Sequence, residues 1–334
     1  MNILLTSIGR RYYLINYFKK NLNSNIKIIS TNSSNHTSAR NYSNFFYLSP
    51  KIESKSYLKF ILSIIKKHKI KLIVPLIDID SKKLSKNIKM IHKYNATLIS
   101  PPYRIVNILT DKFKLYEFLK RNGIITPKTY ISKKKFLHDF NKKKIKFPVI
   151  LKPKYGTSSI LTIKANNTNQ LNIYYKYLMQ KISYEYFNKR NHKQKIVIQE
   201  YIKGTEYGLD LMNTIKGKYY SHLLKQKIHM RNGETDICRI SNKEISQMCK
   251  KISELILHNF LIDVDMIYKN KKFYVIDINP RIGGGYPFTH IVGFDMIKCL
   301  LDQVYSKKKI TNPYKFITKN KKIFVKDIKI SQIH

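Results

Sequence analysis

The chain has 334 residues, 43% of them hydrophobic and 25% charged, a balance typical of globular proteins with a sizeable core and about two domains. Its formal net charge of +44 makes a nucleic acid or an anionic surface the first partner to consider. Only nine of the 64 basic residues are arginine, however, and the lysines are spread along a chain rich in Asn, Ile and Tyr that lacks Trp. We interpret the charge as AT-rich coding bias, which leaves a dedicated nucleic-acid surface as the weaker hypothesis.

The cysteines and the hydropathy pattern indicate the cellular environment. Cys238, Cys249 and Cys299 are odd in number and lack the spacing of metal ligands. No secretory leader and no apolar run of membrane-spanning length is expected. These observations predict a cytoplasmic protein with reduced thiols and no membrane partner.

The first hundred residues alternate apolar strands with amphipathic helices. Strands are predicted at 3–5, 26–30, 72–76 and 96–100, and helices at 12–20 and 57–68. This alternation predicts a doubly wound parallel sheet, which binds ligands beyond the carboxyl ends of its strands. The loop 6–11 lies at such an end and carries two arginines, although it is not a GxGxxG sequence. Asp78 and Asp80 follow another strand, where a ligand site and a helix cap or solvated loop are about equally good explanations.

A second unit begins near residue 110. Thr110 or Asp111 is the predicted N-cap of a helix that runs to about Arg121. Further on, an apolar strand carries Lys152 at its end, and the polar loop 154–159 follows. This pattern predicts a hairpin whose tip covers phosphate groups with backbone N–H groups, while Lys152 supplies a point charge.

The remaining chain alternates strand and helix patterns with polar stretches. Strands are predicted at 196–202, 204–211, 219–227 and 262–268, a helix at 244–259, and short tail strands at 316–317 and 323–325. Residues 225–239 form a basic and polar stretch.

The segment 277–281 carries the strongest chemical signal. It follows an apolar strand, so Asp277, Asn279 and Arg281 lie on one face of an extended chain. Carboxylate and amide oxygens suit Mg²⁺, and a guanidinium beside them suits a phosphoryl group. A strand that ends in a polar turn is the alternative explanation. A hairpin with 262–268 sets Asp265 beside Asp277, and paired acids on an apolar strand favour a bound cation.

These pieces, in this order, resemble the ATP-grasp superfamily, and within it the carbamoyl-phosphate-synthase-like branch that carries a preceding Rossmann-like domain. The resemblance extends from 3–10 to 277–285. It implies an α/β and α+β fold, in which an N-terminal Rossmann-like parallel sheet precedes an ATP-grasp fold of two α+β subdomains. The implied units are residues 1–108, a domain at 109–305 with a lid subdomain at 126–203 and a large subdomain at 204–305, and a basic extension at 306–334 packed on the large subdomain.

The resemblance also implies the site residues and the cofactors, which are ATP and two Mg²⁺ ions, with Mn²⁺ as a substitute. The residues and their implied roles are Lys112 and Lys152 on the ATP phosphates, Ser158 in the lid loop, Glu200, Tyr201 and Ile202 at adenine, Glu206 at ribose, Asp265, Asp277 and Asn279 as metal ligands, Arg281 on the transferring phosphoryl group, and Arg231 at the phosphate or the second substrate.

The activity implied by the resemblance is ATP-dependent ligation of a carboxylate to an amine, or to a thiol, through an acyl phosphate, with release of ADP and phosphate. The expected partners are small carboxylate and amine substrates, with no specific nucleic acid, and relatives are often dimers, which leaves a homodimer open. Residues 283–287 would border the acceptor pocket. The alternatives are a bicarbonate-activating enzyme of the carbamoyl-phosphate or carboxylase type, an ATP-binding regulator without ligase activity, and a basic nucleic-acid-binding protein.

Overall fold

A computed structural model of the chain describes residues 2–156, 160–185, 195–231, 233–305 and 322–327. The N-terminal unit consists of β1 (Asn2–Thr6), α1 (Tyr12–Lys20), β2 (Ile28–Asn32), α2 (Ala39–Tyr42), β3 (Phe45–Leu48), α3 (Ser56–Lys67), β4 (Ile70–Pro75), α4 (Asp78–Lys86), α5 (Ile88–His92) and β5 (Thr97–Leu98). Its five strands form a parallel sheet in the order β3-β2-β1-β4-β5, so the predicted parallel sheet is confirmed. The strand predicted at 96–100 is only two residues long, and it pairs with β4 alone.

This parallel sheet packs on both of its faces. Successive residues of β1 point to opposite faces, so Leu4 enters one apolar cluster, and Ile3 and Leu5 enter another. The second cluster also contains Phe260 and Tyr286 from the C-terminal half of the chain. The N-terminal unit is therefore fixed to the rest of the molecule by a shared apolar core.

A smaller antiparallel sheet follows. Its region comprises α6 (Tyr103–Leu109), α7 (Lys112–Arg121), β6 (Thr129–Tyr130), α8 (Lys133–Asn141), β7 (Val149–Pro153), β8 (Ile163–Ala165), α9 (Thr168–Glu185) and β9 (Ile196–Glu200). The strand order is β6-β9-β7-β8. The predicted hairpin is confirmed by the antiparallel pairing of β7 with β8. Ser158 belongs to its tip and lies outside the described residues.

The larger sheet has six antiparallel strands. Its elements are β10 (Thr205–Asn213), β11 (Tyr219–Arg231), β12 (Glu234–Ser241), α10 (Ser246–Ile256), β13 (Leu261–Lys269), β14 (Lys272–Asn279), α11 (Tyr286–Ile291), α12 (Met296–Tyr305) and β15 (Ile323–Val325). The order is β14-β13-β10-β11-β12-β15. The basic and polar stretch 225–239 forms most of β11 and β12, and each of these strands pairs with a neighbour on both sides.

The C-terminal tail contributes one described strand to this sheet. β15 pairs antiparallel with β12, which confirms the strand predicted at 323–325. The strand predicted at 316–317 lies outside the described residues, and the predicted domain boundaries stay a prediction. Within the described ranges no helix is long and apolar enough to cross a bilayer, and all three cysteines are buried and free of disulfides.

Candidate active site

The predicted site residues that the structure describes converge, with one exception, on a cavity between the two antiparallel sheets. The cavity has a volume of about 270 Å³. The predicted residues among its lining are Lys112, Lys152, Glu200, Tyr201, Ile202, Glu206, Asp265, Asp277, Asn279 and Arg281. These positions span almost 170 residues of sequence, so their convergence is a property of the fold.

One end of the cavity lies where β9 leaves the smaller sheet. Lys152 on β7 donates a 2.8 Å hydrogen bond to Oε1 of Gln199, whose Nε2 donates to Thr129 Oγ1 at 2.9 Å. Glu200 accepts a 3.2 Å hydrogen bond from the Lys128 backbone N–H through Oε2. One carboxylate oxygen of Glu200 is therefore engaged by the backbone N–H of the residue that precedes β6.

Two lysines reach the centre of the cavity. Burial lowers the pKa of Lys152 to about 8, and the neighbouring Lys112 adds to that effect. Lys112 is buried too, but the nearby Asp277 outweighs the burial and raises its pKa. The two ammonium groups create a region of positive potential in which an anion is favoured.

The strand pair β13–β14 supplies the carboxylates. In its register Asp265 lies opposite Asp277, as predicted, and Asp263 lies opposite Asn279. Asp277 binds Lys112 at 2.7 Å and Asp265 binds Lys227 at 2.5 Å. Burial alone would raise the pKa of Asp277, but Lys112 and Lys152 outweigh it, so the pKa lies below its ordinary value. An ionised carboxylate is the state that a cation requires.

The donor set in this strand pair fits a hard cation. Asp265, Asp277 and Asn279 present only oxygen ligands from side chains, the type that Mg²⁺ prefers. Among the described residues no cluster of three or more His, Cys, Asp or Glu side chains forms a metal site by itself. A divalent ion here would therefore complete its coordination with ligand oxygens or water, as Mg²⁺ does in phosphate sites.

Arg281 is held by carboxylates from two different units. Its Nε lies 3.1 Å from Asp78 at the start of α4, and its Nη1 lies 3.5 Å from Asp263. Ser81 on the same helix donates a 3.2 Å hydrogen bond to the carbonyl of Pro280. Through these two contacts α4 of the N-terminal unit reaches the cavity wall.

The glycine segment after Arg281 packs closely against charged side chains. A Cβ on Gly283 would lie 2.5 Å from Cγ of Asp263, and one on Gly284 would lie 2.6 Å from Cδ of Glu234. Lys225 donates a 3.2 Å hydrogen bond to the carbonyl of Gly285. A side chain at 283 or 284 would therefore have to displace the carboxylate of Asp263 or Glu234.

One predicted residue lies apart from the others. Arg231 pairs with Asp236 at 2.9 Å and lines a second cavity next to the first. Its predicted role and those of the other residues stay predictions.

The structure also adds residues that sequence reasoning did not select. These are Lys225, Lys227, Glu234 and Asp263, whereas Arg11 belongs to the loop 6–11 that the sequence already placed at a ligand-binding strand end. Asp263 and Lys227 carried a signal, because each alternates with another charged residue two positions away along a strand.

Comparisons with known proteins agree with this architecture. Residues 3–99 match the model of the PylC-like N-terminal domain, and residues 109–285 match the model of the ATP-grasp domain. The chain is 27% identical over 199 residues to the coenzyme gamma-F420-2:alpha-L-glutamate ligase of Methanococcus maripaludis, covering 55% of this chain and 63% of that protein. It is 21% identical over 211 residues to the carbamoyl phosphate synthase large chain of Campylobacter jejuni, covering 60% of this chain and 18% of that one. The chain thus spans less than two thirds of these relatives' length.

A solved structure has the same fold. The biotin carboxylase domain of the 2-oxoglutarate carboxylase of Hydrogenobacter thermophilus superposes with a TM-score of 0.73 at 16% identity, covering 93% of this chain and 71% of that one. The predicted fold class and the predicted likeness to carbamoyl phosphate synthase are confirmed. Since the ATP-grasp model matches more than half of the chain, the protein belongs to the ATP-grasp family.

Proposed function

We propose that the protein is an ATP-dependent ligase that joins a small-molecule carboxylate to an amine through an acyl phosphate and releases ADP and phosphate. One observation carries the proposal: Asp265, Asp277 and Asn279 share a cavity with Lys112, Lys152 and Arg281. Oxygen ligands for a cation and three fixed cations in one cleft are what phosphoryl transfer requires. The relative from Methanococcus maripaludis, by its name an alpha-L-glutamate ligase, supports the same class of reaction.

In the proposed mechanism the nucleotide lies along the cavity. Residues 199–202 hold the base, and Glu206, which is exposed at the start of β10, binds the ribose hydroxyls. Lys112 and Lys152 bind the phosphates. Asp265, Asp277 and Asn279 would hold Mg²⁺, which withdraws charge from the phosphate oxygens when bound. Two ions, and Mn²⁺ in their place, stay predictions.

The first chemical step forms the acyl phosphate. A carboxylate oxygen of the substrate attacks the γ-phosphorus, a P–O bond forms, and the bond to the bridging oxygen breaks to release ADP. Arg281 orients the transferring group, because Asp78 and Asp263 fix its guanidinium on two sides. Lys227, beside Asp265, adds positive charge at the same end.

The second step forms the product. The amine nitrogen attacks the acyl carbon, a C–N bond forms, the C–O bond to phosphate breaks, and the nitrogen loses a proton. Orientation supplies most of the acceleration because the acyl phosphate is already activated. Gly284 and Gly285 line the cavity, which supports the prediction that the segment 283–287 borders the acceptor pocket.

The experiment is an ADP-release assay with MgATP and a panel of carboxylate and amine pairs, in which bicarbonate is included to test the alternative carboxylase chemistry. We expect Asp277→Ala and Arg281→Ala to lower ADP release at least 100-fold, because each removes charge stabilisation worth roughly 3 kcal/mol or more. The matched control is Asp302→Ala on α12, whose carboxylate pairs with Lys298 in the same helix.

Wild-type turnover by both cavity variants, or nucleotide binding without ADP release for any pair, would contradict the proposal. The second result would favour an ATP-binding regulator. A steep salt dependence of DNA binding would instead revive the nucleic-acid hypothesis. The possible homodimer is measured separately, by light scattering.

A further inference from the structure

Six of the described lysines and arginines line the cavity between the two antiparallel sheets, and Lys152 differs from the other five in its partner. The other five each form an ion pair with a carboxylate, and they are Arg11, Lys112, Lys225, Lys227 and Arg281. Among the residues that the structure describes, Lys152 has no carboxylate at ion-pair distance, and its ammonium group donates to the neutral amide oxygen of Gln199 at 2.8 Å. A buried cation with a neutral partner needs a reason, because burial without a counter-charge is costly.

The amide of Gln199 is held in one orientation by a hydrogen bond at its other end. The Thr129 hydroxyl donates its single proton to the carbonyl of Pro127 at 2.9 Å, which leaves the hydroxyl oxygen as an acceptor. Nε2 of Gln199 donates to that oxygen, also at 2.9 Å. A rotated amide would set its oxygen against the acceptor and its N–H groups against the ammonium of Lys152, and both bonds would be lost. The amide oxygen therefore faces Lys152.

The three side chains of this hydrogen-bond chain lie on adjacent strands of the smaller sheet. Thr129 on β6 lies opposite Gln199 on β9, and β9 also pairs with β7, which carries Lys152. All three residues are buried, with exposed fractions of 3%, 6% and 8% in that order. Because water has little access to these groups, a break at any link leaves a buried polar atom unpaired. The position of the ammonium group is therefore set by three paired strands.

A neutral partner has an electrostatic consequence for a bound anion. A carboxylate beside Lys152 would cancel most of its charge at a distance, whereas an amide oxygen orients the ammonium group and leaves the charge uncompensated. Lys112 shows the contrast, because its ammonium group lies 2.7 Å from the carboxylate of Asp277. The pKa of Lys152, lowered to about 8 by burial, still leaves the ammonium form dominant at pH 7. Lys152 thus offers an anion a full, fixed positive charge.

We propose that Gln199 is a positioning residue: oriented by Thr129, it directs the ammonium group of Lys152 at the nucleotide phosphates and leaves its charge uncompensated. The hydrogen-bonding groups of the amide face Lys152 and Thr129, so the backbone of Gln199 borders the base while its side chain acts on the phosphate end. Gln199 thereby links the two ends of the bound nucleotide. This inference rests on the proposed ligase function and adds a residue that controls how the phosphates are held.

The test separates phosphate binding from base binding on the full chain. The probes are the magnesium complex of the non-hydrolysable ATP analogue with a β,γ-imido bridge, measured by calorimetry, and adenosine, which lacks phosphates, measured by NMR titration. Gln199→Glu keeps the shape of the side chain but places a carboxylate against Lys152. We expect it to weaken binding of the analogue about tenfold or more and to leave the affinity for adenosine within about twofold, because only the phosphates sense the neutralised charge.

A second pair of variants tests the part assigned to Thr129. Thr129→Val keeps the shape of the side chain but frees the Gln199 amide to rotate, and should weaken binding of the analogue roughly three- to tenfold. Thr129→Ser keeps the hydroxyl and should restore the affinity to within about twofold of the wild type.

The matched control is Gln303→Glu on α12, which adds the same charge. The Gln303 amide also has a partner at each end, the Ile215 N–H and the Cys299 carbonyl, but it lies outside the cavity lining. Both affinities should stay within about twofold of the wild type in this variant, because the added charge is remote from the phosphates. Thermal melting checks that each variant is folded, and if Gln199→Glu is not, the two Thr129 variants decide.

Equal weakening of the analogue and of adenosine in Gln199→Glu would overturn the inference, because a purely structural role has that effect. Unchanged binding of the analogue in this variant would overturn it as well, and ADP release by the wild type would then leave the ligase function standing. If Thr129→Ser binds as weakly as Thr129→Val, the role given to Thr129 is wrong. Phosphate-selective weakening without ADP release by the wild type for any substrate pair would instead contradict the ligase function and keep the role of Gln199.

Discussion

At the scale of single residues, Lys152 combines burial with a charge that the proposed chemistry needs. Its side chain is only 8% exposed, and its pKa falls from 10.5 to about 8 because burial penalises the ammonium form. Below pH 8 the lysine is charged in both the folded and the unfolded chain. The free-energy cost of burying this charge then lowers the stability of the folded state in full. Between pH 8 and pH 10.5 the folded chain releases this proton first, so the cost falls as the pH rises.

The lowered pKa of Lys152 predicts how removal of its charge changes the stability of the protein. The depressed pKa corresponds to roughly 3 kcal/mol, and loss of the hydrogen bond to Gln199 offsets about 1 kcal/mol of it. Lys152→Met should therefore raise the free energy of unfolding by about 2 kcal/mol at pH 7, and the gain should shrink toward pH 10. Denaturant titration at both pH values measures it, with exposed Lys66→Met as control. A gain that does not change with pH would contradict the assignment.

At the scale of elements, the N-terminus of α7 links the helix to the end of β7. Asp111 caps the helix by accepting hydrogen bonds from the N–H groups of Phe113 and Lys114, both at 3.1 Å, so the structure selects Asp111 from the two predicted caps, Thr110 and Asp111. The same carboxylate lies 3.2 Å from Lys154. The backbone N–H of Lys112 donates to the Lys154 carbonyl at 3.0 Å. The cap therefore helps to position Lys112 in the cavity.

Removal of this cap should affect both stability and nucleotide binding. We expect Asp111→Ala to lower the free energy of unfolding by about 2–3 kcal/mol, since it removes a cap and leaves the nearly buried Lys154 unpaired. The KM for ATP should rise as Lys112 shifts. The control is Ser132→Ala, which removes the cap of α8 and should cost about 1 kcal/mol with no change in KM. Equal decreases in the free energy of unfolding of the two variants would argue against the link between Asp111 and the end of β7.

At the scale of the whole molecule, α4 couples the N-terminal unit to the cavity. Asp78 and Asp80 lie on one helix and are both buried, but their partners differ. Asp78 pairs with Arg281, whereas Asp80 accepts hydrogen bonds from Ser7 at 2.9 Å and Tyr57 at 2.7 Å inside its own unit. Of these two aspartates, it is therefore Asp78 that connects the first unit with Arg281, a proposed phosphoryl-transfer residue.

This difference predicts a split between activity and stability. Asp78→Asn should lower kcat roughly 10- to 100-fold, about 1.4–2.7 kcal/mol, because it releases one side of the Arg281 guanidinium. Asp80→Asn should mainly lower the melting temperature and leave kcat within about threefold. Steady-state kinetics and thermal melting on both variants make the comparison. If the two aspartates affect kcat equally, Asp78 does not position Arg281.

Local patterns were sufficient to predict much of this protein. The alternation of strands and helices, the β7–β8 hairpin, the Asp111 cap and the common cavity wall of Asp277, Asn279 and Arg281 depend on spacings of a few residues. Such spacings follow directly from the two-residue period of strands and from helix capping. The register of the β13–β14 hairpin was also predictable, because a short turn joins the two strands.

The tertiary structure alone decided the contacts between distant segments. The pairing of Asp78 with Arg281 and of Lys227 with Asp265, the packing of Glu234 on Gly284, and the second cavity all depend on how the sheets pack. Nothing in local spacing distinguishes Asp78 from Asp80, or one lysine of a lysine-rich chain from another. The sequence by itself determined the chemistry of the proposed nucleotide site. The packing of the N-terminal unit on the large sheet decided which side chains surround its acceptor end.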